Sequence, residues 1–416
     1  LISDAQLILG FSRHLTAYSV SAVHAELETL RFAGQVYEMA WRLRNAQISS
    51  AERVRAIGIE AKIGPLDLDR YVLPTMEQLG WVQCDRRPDM GLVSVAAFVP
   101  PNAELLGATD RLLDMLLATP TQRAALEIMR ATSIQPLERH AALQAGSGHG
   151  DEAAERALGC LITVNLVREV QSEDGRAVVF NPNIWVGDAE VMTAALRTED
   201  ARVQREVGAL IEEVMASPGI PEEHVKSTEQ RWIDFAVSAG LIERSQVVAT
   251  SDKKLLFTPH LHRDPFGTDP RDPSGHIRQL VGSMIYASTF ASWKLNSPGA
   301  FLHVLIRDGE AGNHERIAED YAMLETAGTI EVVGDGRHAR MRLLQTEVAE
   351  QALAIIDARG NTAGGENTTF AGIGEQRSYN HLERERAQVA TAVVLDDADS
   401  RRFMSALRDT TARRNF

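Results

Sequence analysis

Leu79-Gly80-Trp81-Val82, Val164-Asn165-Leu166-Val167, Ala239-Gly240-Leu241-Ile242 and Ala327-Gly328-Thr329-Ile330 are four versions of one junction. In each, a helical stretch runs into a small residue, takes an apolar step and enters a charged turn flanked by β-formers. Gly or Asn just past the last helical residue suits a left-handed cap, which swings the chain sharply into a strand. The junction recurs about every 80 residues, roughly the length of a small domain. In the first three units the second β-run ends on a shared cue: Phe98-Val99-Pro100, Phe180-Asn181-Pro182 and Phe257-Thr258-Pro259.

Working outward from these junctions divides the chain. Residues 1–48 are expected to be helices, the second long, with Val20, Val23, Leu27, Leu30, Val36, Met39 and Leu43 making an apolar stripe that something must cover: the first module, a partner or a second copy of the chain. Module 1 (49–103) opens on a Ser49-Ser50 cap, with helices to Ala61 and from Asp67 to Leu79, then strands 81–84 and 92–98. Module 2 (104–187) has helices from Pro120, Pro136 and Asp151, and a hairpin at Ser172-Glu173-Asp174-Gly175. Module 3 (188–263) has a helix at 203–215, a breaker at Ser217-Pro218-Gly219, a helix ending near Ala239 and a hairpin at Ser251-Asp252. An Asp/Pro-rich stretch and a helix from His276 to Trp293 fill 264–296. Module 4 (297–358) turns at Gly334-Asp335-Gly336 and closes with a helix from Thr346. A Gly-rich loop and charged helices occupy 359–416.

Three helices of this size cannot bury their apolar faces alone, so a β-hairpin must close each core, with Val82, Cys84, Leu241 and Val247 pointing inward. The expected class is α+β, mostly helical. The pattern resembles the winged-helix superfamily over about two-thirds of the chain, at the level of fold. That resemblance implies a non-enzymatic protein in which the third helix of a unit enters the DNA major groove and the hairpin touches the backbone.

Carried onto this sequence, the helices fit poorly. Asp151-Glu152-Ala153-Ala154-Glu155-Arg156 would repel phosphate; Arg231 lies among Glu229 and Asp234, and Arg316 beside Glu315, Glu319 and Asp320. The hairpins fit better: Arg86-Arg87, Lys253-Lys254, and Arg337, His338, Arg340 and Arg342, the last two alternating with Met341 and Leu343. The tail adds Arg401, Arg402, Arg413 and Arg414. A charged edge strand that resists aggregation would read the same way.

The net charge of −14 opposes broad phosphate binding, so any contact with double-stranded DNA must be local. Two readings follow: a DNA-associated regulator using basic wings, or an acidic scaffold that docks partner proteins in a larger bacterial assembly. Five lysines against thirty-eight arginines read as the coding bias of a GC-rich bacterial genome. Cys84 and Cys160, with no metal-ligand spacing, are expected as reduced thiols in a cytoplasm, and no apolar run suggests a membrane span.

Motifs for chemistry are thin. His260-x-His262 with Asp264, Asp269, Asp272 and His276 has metal-ligand residue types but no zinc or two-metal spacing. Gly146-Ser147-Gly148-His149-Gly150 follows a helix and lacks the Lys-Ser/Thr of a phosphate loop. No nucleophile elbow is present. Neither a cofactor nor a catalytic residue is assigned.

Overall fold

The computed structural model describes residues 3–18, 25–88, 91–171, 176–181, 201–258, 275–291, 294–334, 338–359 and 375–392. The protein is α+β, with helices and small antiparallel sheets. Two N-terminal helices, Asp4–Leu15 and Glu28–Leu43, precede everything else.

Four units then follow one plan. The first contains β1 (Ile48–Ser50), β2 (Val82–Arg87) and β3 (Gly91–Ala97); the second β4 (Leu137–Glu138), β5 (Arg168–Gln171) and β6 (Ala177–Phe180). The third contains β7 (Ile220–Pro221), β8 (Glu243–Val248) and β9 (Lys253–Phe257); the fourth β10 (Glu310–Ala311), β11 (Ile330–Val333) and β12 (Arg340–Leu343). In each, the last strand lies between the first and second: β1-β3-β2, β4-β6-β5, β7-β9-β8 and β10-β12-β11. A late strand, β13 (Ser378–Asn380), adds to β8. The short leading strands are absent from the sequence reading; in module 2 the helix expected at Pro136 begins at Arg139, after β4.

The junctions behave alike. Gly80, Asn165, Gly240 and Gly328 all have positive φ, between 54° and 76°. The next amide always reaches back over the helix end: Trp81 to the Met76 carbonyl, Leu166 to Leu161, Leu241 to Ala236 and Thr329 to Leu324, at 2.8–3.1 Å. These bonds satisfy helix-terminal carbonyls that would otherwise be orphaned. Upstream, Ser50 caps the Ala51–Glu60 helix by accepting from the Arg53 amide, and Thr119 forms a capping box with Gln122.

The part of the apolar stripe on Glu28–Leu43 is covered by the chain itself, while Val20 and Val23 lie outside the described residues. Its residues from Ala33 to Leu43 are buried. Gly34 sits against Ser12 and the Ile8 carbonyl, where any Cβ would overlap them, so the two N-terminal helices pack at backbone distance. They share one core with modules 1 and 2. A second core joins the β8–β9 sheet, the His276–Thr289 helix and module 4, and a third fills the helical side of module 3. Among the described residues no helix is long and apolar enough to cross a membrane.

The N-terminal pair also reaches the junctions through polar contacts. His14 Nε2 lies 2.6 Å from the Val164 carbonyl, and Asn165 donates to the Tyr18 hydroxyl. Arg42 donates to the Thr326 carbonyl at 2.9 Å, and Gln345 bridges the Trp41 and Gly328 carbonyls. Module 4's cap is seated so closely on the end of the second helix that a Cβ on Gly328 would overlap the Arg42 carbonyl oxygen.

Candidate nucleic-acid interface

The hairpins project cations from strand positions whose side chains alternate between core and solvent. In β12, Met341 is buried while Arg340 and Arg342 are exposed, as the period-2 pattern requires. What the sequence does not reveal is how these cations are matched. Arg342 pairs with Glu310 at 3.0 Å and Glu331 at 3.4 Å, and Arg340 lies 3.6 Å from Glu310 and donates to the Gly312 carbonyl. Glu310 stands on β10, directly across the register from Arg342. His338 meets Asn313 through Nδ1 at 3.2 Å.

In the third and first units one wing cation is matched in the same way. Lys253 Nζ lies 2.8 Å from Glu223 and 4.5 Å over the Phe290 ring, leaving its side chain 17% exposed. Lys254, next along β9, is exposed. Arg86 lies 3.7 Å from Glu77, and Arg87 stands exposed beside it at the end of β2. Among the helical candidates, Arg231 lies 3.8 Å from Glu229 and stacks 4.4 Å over Trp232, while Arg316 reaches Asp320 and Glu319 at 3.4 and 3.6 Å. Arg337, Arg401, Arg402, Arg413 and Arg414 lie outside the described residues, as do His260 and His262. Exposed pairs of this kind are individually worth about 0–1 kcal/mol, yet each puts a carboxylate where a phosphate would have to sit.

In the Gly146–Gly150 run only Gly146 is packed: it closes the Arg139–Gly146 helix within Cβ contact of Ile128 and Ala154, while Gly148 and Gly150 face open space. Cys160 is buried and Cys84 half-buried, both as thiols; burial pushes the Cys84 thiol up to about 12, which leaves it unreactive. Trp232 is a core residue of module 3.

A denser polar cluster, invisible in the sequence, lies inside the molecule. Glu38 accepts from Arg13 at 2.9 and 3.1 Å and from Arg42 at 2.8 and 2.9 Å, all three side chains being buried. Burial works to raise the Glu38 carboxyl, but the two guanidiniums outweigh it and hold it below the usual range. Burial and Arg42 pull His276 down to about 3, and burial with Arg13 lowers His381 far below its ordinary value, so both rings are neutral. Nearby, Arg278 pairs with Glu243 at 2.7 Å; burial pushes that carboxyl up. Tyr379 on β13 donates its hydroxyl to Ser245 and its amide to Glu60. Residues from both chain ends and the middle thus meet at one junction.

One surface departs from the repeat. Phe180 and Phe257 are 3% and 0% exposed, whereas Phe98, at the same point of the first unit, is 60% exposed. Ile48 on β1 is 71% exposed and pairs with Ala96, so strand alternation puts Ile48, Ala96 and Phe98 on one face. Ile59, Leu66 and Tyr71 of the same module are exposed too. Comparison with protein-family models and with curated proteins finds no match to this chain.

Proposed function

We propose that this chain is a non-enzymatic, acidic scaffold of winged-helix-type modules whose first module docks a partner protein. The observation that carries the reading is the inversion at Phe98: a repeat position that is core in two units faces solvent in the first, beside Ile48. Exposed apolar groups gathered in one module mark interaction surfaces more often than scattered ones do. The net charge of −14 favours a partner with a basic rim. Against the DNA-linked reading stand the carboxylates of Glu223, Glu310 and Glu331, which occupy the faces of Lys253, Arg340 and Arg342 that phosphate would need.

Two measurements test the proposal together. Fluorescence anisotropy with a labelled duplex at low salt is expected to show no saturable binding. Affinity purification from the source cells, compared with an Ile48→Asp/Phe98→Asp variant of unchanged circular dichroism, is expected to recover a basic protein with wild type that the variant loses. Salt-sensitive duplex binding abolished by Arg340→Gln/Arg342→Gln would replace this reading with a DNA-associated one.

A further inference from the structure

The outer faces of the four sheets form a series. In module 2, Val179 belongs to the core shared with the N-terminal helices, so strand alternation sends Phe180 to the opposite face, where it joins the core of module 3. Most of that core is supplied by helices, chiefly Ala201–Ala216 and Gln230–Ser238. In module 3, Leu256 is the inward residue while Leu255 and Phe257 face out. The His276–Thr289 helix lies over them: Leu255 comes within 2.9 Å of where a Cβ on Gly282 would stand, and Phe257 and Ile285 crowd one point beside Gly219. An apolar outer face is therefore covered, in both modules, by helix.

Module 4 ends the series with charge, because Arg340 and Arg342 occupy its outer face. Stacked repeats need such a polar face at a terminus. Module 1 has the apolar face without the cover: Ile48 and Phe98 are 71% and 60% exposed around Ala96, with no described helix over them. The same face carries Asp85, which stands opposite Ser94 in the register, is exposed and has no ion-pair partner among the described residues.

We propose that the outer face of module 1 takes an amphipathic α-helix of the partner protein. The apolar stripe of that helix lies on Ile48, Ala96 and Phe98, as the His276–Thr289 helix lies on Leu255 and Phe257, and an arginine or lysine on its flank meets Asp85. The inference rests on the docking role proposed above and adds the form and charge of the docked element.

Photo-cross-linking of the full chain in the source cells tests it. Ile48, Ala96 and Phe98 are replaced in turn by p-benzoylphenylalanine, with Leu117, 84% exposed in module 2, as the control position, and the cross-linked peptides are mapped by mass spectrometry. The three positions are expected to mark one segment of one partner, at residues three or four apart, with a yield about tenfold above that of Leu117. Asp85→Arg should cut the yield about fivefold. A synthetic peptide of the marked segment should gain helical circular dichroism on binding the full chain, and should bind the Phe98→Asp variant about tenfold more weakly. Marks on alternate residues, as an extended strand would give, marks scattered over several segments, or peptide binding without helix formation overturn the helix and leave docking standing. So does recovery of a partner, lost with Ile48→Asp/Phe98→Asp, that these positions capture no better than Leu117 does. Recovery of no partner by either route overturns the docking role itself, and this inference with it.

Discussion

Replacing Glu38 by Gln keeps the shape of the buried cluster and deletes the one charge that Arg13 and Arg42 share. Glu38 accepts four short hydrogen bonds from these two guanidiniums, and none of the three side chains can turn to water. Gln offers a single oxygen and brings an amide that must itself be satisfied, so two cations are left facing each other. Breaking a buried pair in this way costs about 3–5 kcal/mol. Neutral His276 and His381 beside the cluster cannot compensate. For a chain of 416 residues the loss corresponds to a drop of about 3–6 °C in Tm. Arg42 also holds the Thr326 carbonyl, so module 4 should loosen along with the N-terminal helices. Urea denaturation followed by tryptophan fluorescence, with limited proteolysis as a second readout, measures both effects. A change below about 1 kcal/mol would refute the reasoning, because the cluster would then have to be reachable by solvent. Replacing all three residues with Met should recover much of the loss, as apolar substitutes for buried ionic triads can do.

Other outcomes follow from the same geometry. Gly80→Ala and Gly328→Ala place the same side chain at equivalent left-handed caps: the first, with open space around it, should cost about 1–2 kcal/mol. The second should cost several kcal/mol more, because its Cβ overlaps the Arg42 carbonyl; equal losses by thermal denaturation would contradict the seating of module 4. Lowering the pH should destabilise the fold through its buried histidines. With His276 held to about 3 and His381 also depressed, the unfolded chain takes up protons below pH ~6.5 that the folded chain refuses. Their stabilisation is complete above that value and is lost as the pH falls, by about 2 kcal/mol for His276 between pH 7 and 5, opposed in part by the raised carboxyls of Glu60, Glu243 and Glu385. A urea midpoint that stays level or rises over that interval would count against it. Neutralising Arg340 and Arg342 should leave stability within about 1 kcal/mol of wild type, since their pairs with Glu310 and Glu331 are exposed.

Local signals carried most of the element list. A Gly or Asn at each junction has one main physical use, a left-handed cap, and all four occupy it. The hairpin strands and the closing helix Thr346–Ala358 were legible because alternation and capping act between near neighbours. The leading strands β1, β4, β7 and β10 were not, since two or three residues cannot show a period and their pairing is set by strands up to about 50 positions away. β13 was hidden for the same reason: Tyr379 finds Val247 across more than a hundred residues. The wing cations were readable as charges, but not their partners, because Glu223 and Glu310 sit on separate segments of their modules. The cluster of Arg13, Glu38, Arg42, His276 and His381 left no trace along the chain; its members come together only when the N-terminal helices become the interior.

That last feature is the one on which the fold turns, and amide exchange of the Glu28–Leu43 helix measures it most directly. If this helix is the shared interior of the molecule, its amides exchange only through global unfolding and rank with the slowest in the protein. Exchange of residues 33–43 at the rate of an exposed surface helix would contradict the account.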